Sequence, residues 1–224
     1  MSGPAKIYRC FLFDMDGVVV DSMEQHARTW IEVLAGYGVS LEREDIFRRE
    51  GMSGLSSIRD IFREKGLDAP PDRELLALQE RKLALFEECD ISVFPGISEI
   101  LSYLWEKALP MALVTGSLRR SVDHVLPPEI RRFFTAIVTV DDITNGKPHP
   151  EPYLKAVHAL GAGPQDALAI ENAPLGILSA RAAGIDCYAV ETTLDASHLS
   201  AAHAVFTDHG ELFLGLRAAA GDRL

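Results

Sequence analysis

Phe11-Leu12-Phe13-Asp14-Met15-Asp16-Gly17-Val18-Val19-Val20-Asp21-Ser22 is the stretch on which the reading of this chain turns. The apolar run 7–13 reads as a fully buried strand, and it stops at two carboxylates one residue apart beside a glycine. Side chains alternate along an extended chain, but the chain must leave the extended path at Gly17. Asp14 and Asp16 can therefore converge on one pocket at the strand's carboxyl end, where open parallel sheets bind ligands.

Downstream, the pattern first turns helical. Met23, Ala27, Trp30, Ile31 and Leu34 share one helical face, and 42–49, 56–65 and 72–88 read as further charge-rich helices, separated by Gly38, the loop 51–54 and Pro70-Pro71. Nothing in 23–90 reads as a strand. Beyond Phe94-Pro95-Gly96 a helix beginning at Ile97 opens a strict alternation, with strands expected at 111–115, 136–140, 167–170, 187–190 and 204–206 and helices at 118–126, 151–160 and 175–183. If the first strand joins the later five, the result is an α/β fold: a doubly wound parallel sheet, Rossmann-like, with an inserted all-helical cap domain. The expected division is a catalytic core of 1–22 and 92–224 and a cap of 23–91, with 217–224 as a loose tail.

The chain has 224 residues, 47% hydrophobic and 25% charged, enough for one sizeable core and a smaller accessory one. A formal net charge of -11 argues against a nucleic-acid or anionic-membrane partner, so any anionic substrate must be met by positive charge concentrated in the site. Two of the 3 cysteines, Cys10 and Cys187, sit in apolar strand-like runs and read as buried reduced thiols of a cytoplasmic protein, expected to act as a monomer. Asp14 interrupts the only apolar candidate for a signal peptide, and no membrane span is supported.

On residues alone, Asp-x-Asp-Gly after a strand is either a turn or a paired acid site. Thr115 and Ser117 flank Gly116 at the junction of a strand and a helix, where hydroxyls and free N–H groups hold phosphate oxygens and where ordinary turn chemistry also puts them. Arg119 and Arg120 follow in the first helical turn, opposing the helix dipole, so that either could touch an anion while at least one is expected on a solvated face. Lys147 projects from Gly146-Lys147-Pro148-His149-Pro150, and His149 is read as an outward loop residue.

Taken together, Asp14-Met15-Asp16-Gly17, Thr115-Gly116-Ser117, Lys147 and Ile170-Glu171-Asn172-Ala173 resemble, in order, the four motifs of the haloacid dehalogenase-like superfamily. The resemblance spans nearly the whole chain, and Asp21-Ser22 through His26 is similar to the beta-phosphoglucomutases and their phosphatase relatives. It implies that Asp14 attacks phosphorus to form an aspartyl phosphate, and that Asp16 protonates the leaving oxygen and later activates water. By the same resemblance Thr115, Gly116, Ser117 and Lys147 hold the phosphate. Magnesium is the implied cofactor, taken by Asp14, the Asp16 carbonyl, Glu171 and Asn172. The family usually has two acids or Gly-Asp where Glu171-Asn172 stands, so Asn172 leaves the metal site one charge short. Asp141 and Asp142 are the next candidates for the metal.

His26 is placed by the resemblance at the junction of cap and core, and Trp30 is expected in the cap interior. The glycine-bearing loop with Gly51, Met52, Ser53 and Gly54, together with Arg119, is the expected substrate contact from the cap side. The mutases carry an arginine at the place of Gly54 and Ser-Lys-Asn where this chain has Ser117-Leu118-Arg119, and both departures favour hydrolysis. Dehalogenases and phosphonate hydrolases lack the second acid that Asp16 provides. The expectation is magnesium-dependent hydrolysis of a small phosphorylated metabolite, a sugar phosphate before small organic phosphates such as phosphoglycolate. A beta-phosphoglucomutase-like phosphosugar mutase is the alternative, and a non-catalytic phosphate-binding protein comes behind it.

Overall fold

The computed structural model describes residues 6–222. The chain opens with β1 (Cys10–Phe13), turns through Gly17 into the two-residue β2 (Val20–Asp21), and runs into four helices, α1 (Met23–Ala35), α2 (Arg43–Phe47), α3 (Gly54–Glu64) and α4 (Asp72–Glu87). It returns through β3 (Ser92–Val93) to α5 (Ile97–Glu106), β4 (Met111–Val114), α6 (Arg119–Val125), the short α7 (Pro128–Arg131) and β5 (Ala136–Val138). Then come α8 (Glu151–Ala159), β6 (Ala167–Glu171), α9 (Pro174–Ala182), β7 (Asp186–Val190), the short α10 (Ala196–Leu199), β8 (Ala204–Phe206) and α11 (His209–Ala219).

Six strands pair in the order β5-β4-β1-β6-β7-β8, every pairing parallel. The two-residue periodicity of β1 explains how both faces are covered. Phe11 and Phe13 enter one apolar layer with Leu101 and Leu104 of α5 and Leu212 and Leu216 of α11. Cys10 and Leu12 point the other way, against Tyr153 of α8 and Ile177 and Ala180 of α9. Each such side chain contributes roughly 1.5–3 kcal/mol on burial, which is why a run with no polar member makes the central strand. After β1 the chain winds first to β4 and β5 and then back to β6, so the carboxyl end of β1 is the switch point of the sheet.

β2 and β3 pair antiparallel, Val20 with Val93 and Asp21 with Ser92, and the four helices hang from this ribbon. They have an interior of their own: Trp30, Val33 and Leu34 of α1 against Ile58 and Ile61 of α3 and Leu75 and Leu78 of α4. Ser53 caps α3, its hydroxyl accepting from the Ser56 N–H at 3.3 Å, which starts that helix two residues before the expected 56.

Two expectations are corrected. The strand begins at Cys10 and not at 7, because the Tyr8 N–H is taken by the Ala219 carbonyl of α11 and Ile7 is exposed. The segment 217–222 is not a loose tail: α11 buries Leu216 and Ala219, and Asp222 accepts from Lys107 Nζ at 2.6 Å and Arg217 Nε at 3.0 Å. The last two residues of that expected tail lie outside the described residues.

Candidate active site

At the end of β1 the Asp14 N–H continues the ladder to the Ile170 carbonyl, while the side chain turns to Lys147. Lys147 Nζ donates to Asp14 Oδ1 at 2.6 Å, to Glu171 Oε1 at 2.7 Å and to the Val114 carbonyl at 3.1 Å, so all three of its protons are used inside the protein. One buried cation thus serves two buried carboxylates. Burial pushes the Asp14 carboxyl above the usual carboxylate range, with Lys147 opposing and Glu171 and Asp16 adding to the rise. Against the cost of its own burial, Asp14 and Glu171 hold the Lys147 ammonium above its ordinary value.

Asp16 is held differently. Ser22 Oγ donates to its Oδ1 at 2.6 Å and His26 Nε2 lies 3.1 Å from the same oxygen. Ser117 Oγ at 2.8 Å and Thr115 Oγ1 at 3.3 Å donate to Oδ2. Against its burial, contact with His26 and the hydrogen bonds from Ser22 and Ser117 keep this carboxyl well below the usual range. Two acids one residue apart are therefore pushed in opposite directions, Asp14 toward its neutral form and Asp16 toward its ionised form.

Gly17 explains why they converge. It has φ 87°, and a Cβ there would stand 2.0 Å from Asn172 Nδ2, so both the turn and the approach of Asn172 depend on its lack of a side chain. Asn172 Nδ2 donates to Thr193 Oγ1 at 2.9 Å. That bond leaves Asn172 Oδ1 buried without a hydrogen-bond partner, and Asp14 Oδ2 is in the same state. Glu171 is fully engaged: its Oε1 accepts from Lys147 and from Tyr153 OH at 2.6 Å, and its Oε2 accepts from the Asn172 N–H at 3.2 Å.

The helical block closes the site from above. Gly51, Met52, Ser53 and Gly54 border a cavity of about 270 Å³ that also touches His26, Lys82, Gly116 and Ser117. A Cβ on Gly116 would lie 2.7 Å from the Gly51 carbonyl oxygen, and one on Gly51, at φ 87°, would lie 2.7 Å from Lys147 Cδ. The loop thus rests directly on two of the motifs.

The sequence-predicted residues Asp14, Asp16, His26, Thr115, Gly116, Ser117, Lys147, Glu171, Asn172 and 51–54 are brought together. Arg119 is not: its guanidinium donates to the Ile137 carbonyl at 2.8 Å and to Asp142 Oδ2 at 2.9 Å, and it does not line the cavity. Arg120 pairs with Glu87 of α4 instead of an anion. Asp141 accepts the Arg119 N–H at 2.7 Å and borders the cavity, and Asp142 accepts from Thr139 and Arg119. His149 points outward, as expected. Sequence reasoning missed Lys82, whose Nζ lies 2.8 Å from His26 Nδ1, and Tyr153 and Thr193, which orient Glu171 and Asn172. Lys82 had a signal: it interrupts the buried face Leu75, Leu78, Leu83, Phe86 of α4, and a lysine there must find a partner.

A sequence profile of the haloacid dehalogenase-like hydrolases matches residues 11–190, from the middle of β1 to the end of β7. The chain belongs to that family. The haloacid dehalogenase-like relatives include the validoxylamine A 7'-phosphate phosphatase of Streptomyces hygroscopicus subsp. limoneus, 29% identical over 210 residues, covering 92% of this chain and 96% of the relative. Hexitol phosphatase A of Escherichia coli strain K12 is 32% identical over 200 residues, with 86% of this chain and 88% of the relative covered. A solved structure of a hydrolase from Pseudomonas syringae superposes with a TM-score of 0.87 at 28% identity, over 95% of this chain and 100% of that one.

Proposed function

We propose that this haloacid dehalogenase-like hydrolase is a phosphatase that cleaves a small phosphate monoester, a sugar phosphate or similar, through an aspartyl phosphate on Asp14. The carrying observation is the Asp14–Lys147–Glu171 bridge beside an Asp16 held by four donors, all at the switch point of the sheet. The named relatives that act on hexitol and validoxylamine phosphates support the substrate class. In this reading 1–22 and 92–224 form the catalytic core and 23–91 the cap, and the protein works in the cytoplasm as a monomer. Among the described residues no helix is long and apolar enough to cross a membrane.

Magnesium fits the donor set. Asp14 Oδ2 and Asn172 Oδ1 are buried, hard oxygen atoms without hydrogen-bond partners, and a buried orphan acceptor is a costly feature unless something takes it up. Asp14, Asn172 and the Asp16 carbonyl would hold the ion, and Glu171, expected as a ligand, orients Lys147 instead. When bound, the ion supplies positive charge that offsets the burial of Asp14 and of the substrate phosphate. Among the described residues no cluster of three or more His, Cys, Asp or Glu makes a site alone, so the amide and the main chain are needed.

The steps follow from the residues. An Asp14 oxygen forms a bond to phosphorus, the ester P–O bond breaks, and the leaving oxygen takes the proton of Asp16 and departs as an alcohol. Asp16 must be protonated for this, yet in the structure its four donors stabilise the ionised form. A phosphate arriving at Gly116 draws away the hydroxyls of Thr115 and Ser117, and with two donors fewer Asp16 binds a proton more readily. In the second half-reaction Asp16 takes a proton from water as the water oxygen attacks phosphorus and the Asp14–phosphorus bond breaks. Phosphate release from a panel of monoesters, with interconversion of glucose phosphates assayed alongside, tests the reading. Absence of phosphate release from every ester, or isomer formation outpacing release, would overturn it.

A further inference from the structure

The cavity under the cap is rich in acceptors and poor in free cations. Gln79 Oε1 is a buried acceptor without a partner, and it borders the cavity with Glu50, Ser57 and Trp30. A Cβ on Gly54 would stand 3.2 Å from Gln79 Oε1 and 3.4 Å from Trp30 Cζ2, so the missing side chain at 54 keeps the space between amide and indole open. An apolar ring edge beside an unfilled acceptor matches the C–H and O–H groups of a polyol.

The nearby arginines are already neutralised. Arg49 donates to Asp60 Oδ2 at 2.9 Å and pairs with Glu64, both within the cap. Arg119 and Arg120 are bound to Asp142 and Glu87. Among the described lysines and arginines that line the cavity, Lys82 alone lacks a carboxylate partner, and its ammonium is turned to His26. Glu50 adds a further acid to the cavity lining. A second anionic group would be desolvated here with only Lys82, already turned to His26, to balance it.

We propose that this cavity selects phosphate monoesters whose organic part is uncharged and rich in hydroxyl groups, with Gln79 and Glu50 receiving those hydroxyls, and that it discriminates against esters bearing a second phosphate or a carboxylate. This rests on the phosphatase reading and adds the selectivity. At about 270 Å³ the cavity suits a ligand of monosaccharide size.

The experiment is steady-state kinetics on matched esters: a hexitol phosphate, a hexose monophosphate, the corresponding hexose bisphosphate, phosphoglycolate, and p-nitrophenyl phosphate as an ester without hydroxyls. The hexitol and hexose monophosphates should exceed the bisphosphate and phosphoglycolate by at least about tenfold in kcat/KM, as one unfilled hydrogen bond or unpaired charge implies. Gln79→Leu should raise KM for the hexitol phosphate by about tenfold while p-nitrophenyl phosphate turnover changes less; Gln79→Asn serves if the leucine variant does not fold. Glu50→Lys and Gly54→Arg each supply a cation and should raise the ratio of bisphosphate to monophosphate kcat/KM. Equal use of charged and uncharged esters, or a Gln79 variant that slows all esters alike, overturns the selectivity while leaving the phosphatase reading in place. Failure to hydrolyse any ester, p-nitrophenyl phosphate included, overturns both.

Discussion

Lys82 and His26 meet across the cap, Nζ to Nδ1 at 2.8 Å, and the contact fixes the state of the histidine. Lysine can only donate, so Nδ1 accepts and Nε2 carries the proton directed at Asp16 Oδ1, 3.1 Å away. Burial and Lys82 hold His26 below its ordinary value, with Asp16 opposing, so the ring is neutral at pH 7. A buried lysine on α4 thereby sets which proton faces the acid on β1.

Lys82 should cost stability and contribute activity. Burial pulls its ammonium down to about 8, with Asp16 and Glu50 opposing. Because the unfolded chain binds this proton more tightly, the penalty is complete below pH 8 and fades as pH rises toward the unfolded value of about 10.4. Lys82→Met is expected to raise the unfolding free energy at pH 7 by on the order of 1–3 kcal/mol while lowering kcat roughly 10- to 100-fold. Urea unfolding at pH 7 and pH 10 checks it: the advantage of the variant should shrink at the higher pH.

Asp14→Asn and Asp16→Asn should separate. The first removes the nucleophile and one of two carboxylates on Lys147, leaving a balanced Lys147–Glu171 pair, so turnover disappears while thermal stability holds or rises. The second places an amide N–H₂ against either Ser22 and His26 or Thr115 and Ser117, and a clash of donors at that one oxygen position costs roughly 1–3 kcal/mol as well as both proton transfers. Asp14→Asn turnover within tenfold of the wild type would sink the covalent route.

Asn172→Asp should tighten magnesium. The substitution adds a charge at the orphaned Oδ1 position, fully buried and weakly screened, and Thr193 Oγ1 can reverse its bond to donate. Isothermal titration of the variant is expected to show about a tenfold or greater gain in magnesium affinity with a modest change in kcat. Glu171→Gln acts through Lys147 and Tyr153 and should chiefly lower Tm. If Glu171→Gln weakened magnesium more than Asn172→Asp tightened it, the two neighbours would have to exchange roles.

Much of this was legible where the physics is local. The apolar run into Asp14 reads as a buried strand, and the spacing of Met23, Ala27, Trp30 and Leu34 gives the inner face of α1. The β2–β3 ribbon, two residues to a side, is too short to leave a periodic signal. Which of Glu171 and Asn172 keeps an unpaired oxygen depends on Tyr153 and Thr193, each about 20 positions away, and adjacent residues look equivalent until those partners are in place. In the sequence Arg119 reads as a substrate contact, and Arg120 as either that or a solvated residue, because their acidic partners, Asp142 and Glu87, come from elements that only the tertiary fold brings near.

The contact of Gly116 with Gly51, beside the place proposed for the phosphate, makes cap closure testable. A Cβ at 116 would sit 2.7 Å from the Gly51 carbonyl oxygen, 2.8 Å from its carbon and 2.9 Å from its Cα, all backbone that cannot rotate away. The clash lies between cap and core, so Gly116→Ala is relieved by lifting the cap about the β2–β3 ribbon, with neither interior disturbed. Arg120 holds the same joint from the side, its Nε 2.5 Å from Glu87 Oε1, but both partners are partly exposed and the pair weakens with salt. Gly116→Ala is therefore expected to keep its Tm within a few degrees and to lose roughly 100-fold in kcat/KM, the cost of about an ångström of misplacement at the reacting atoms. Arg120→Ala should show a small rise in KM that disappears at high salt, where the wild type has lost the same interaction. Small-angle scattering with a phosphate analogue should report a more extended Gly116→Ala protein than wild type, and full activity in that variant would show that catalysis does not need the closed cap.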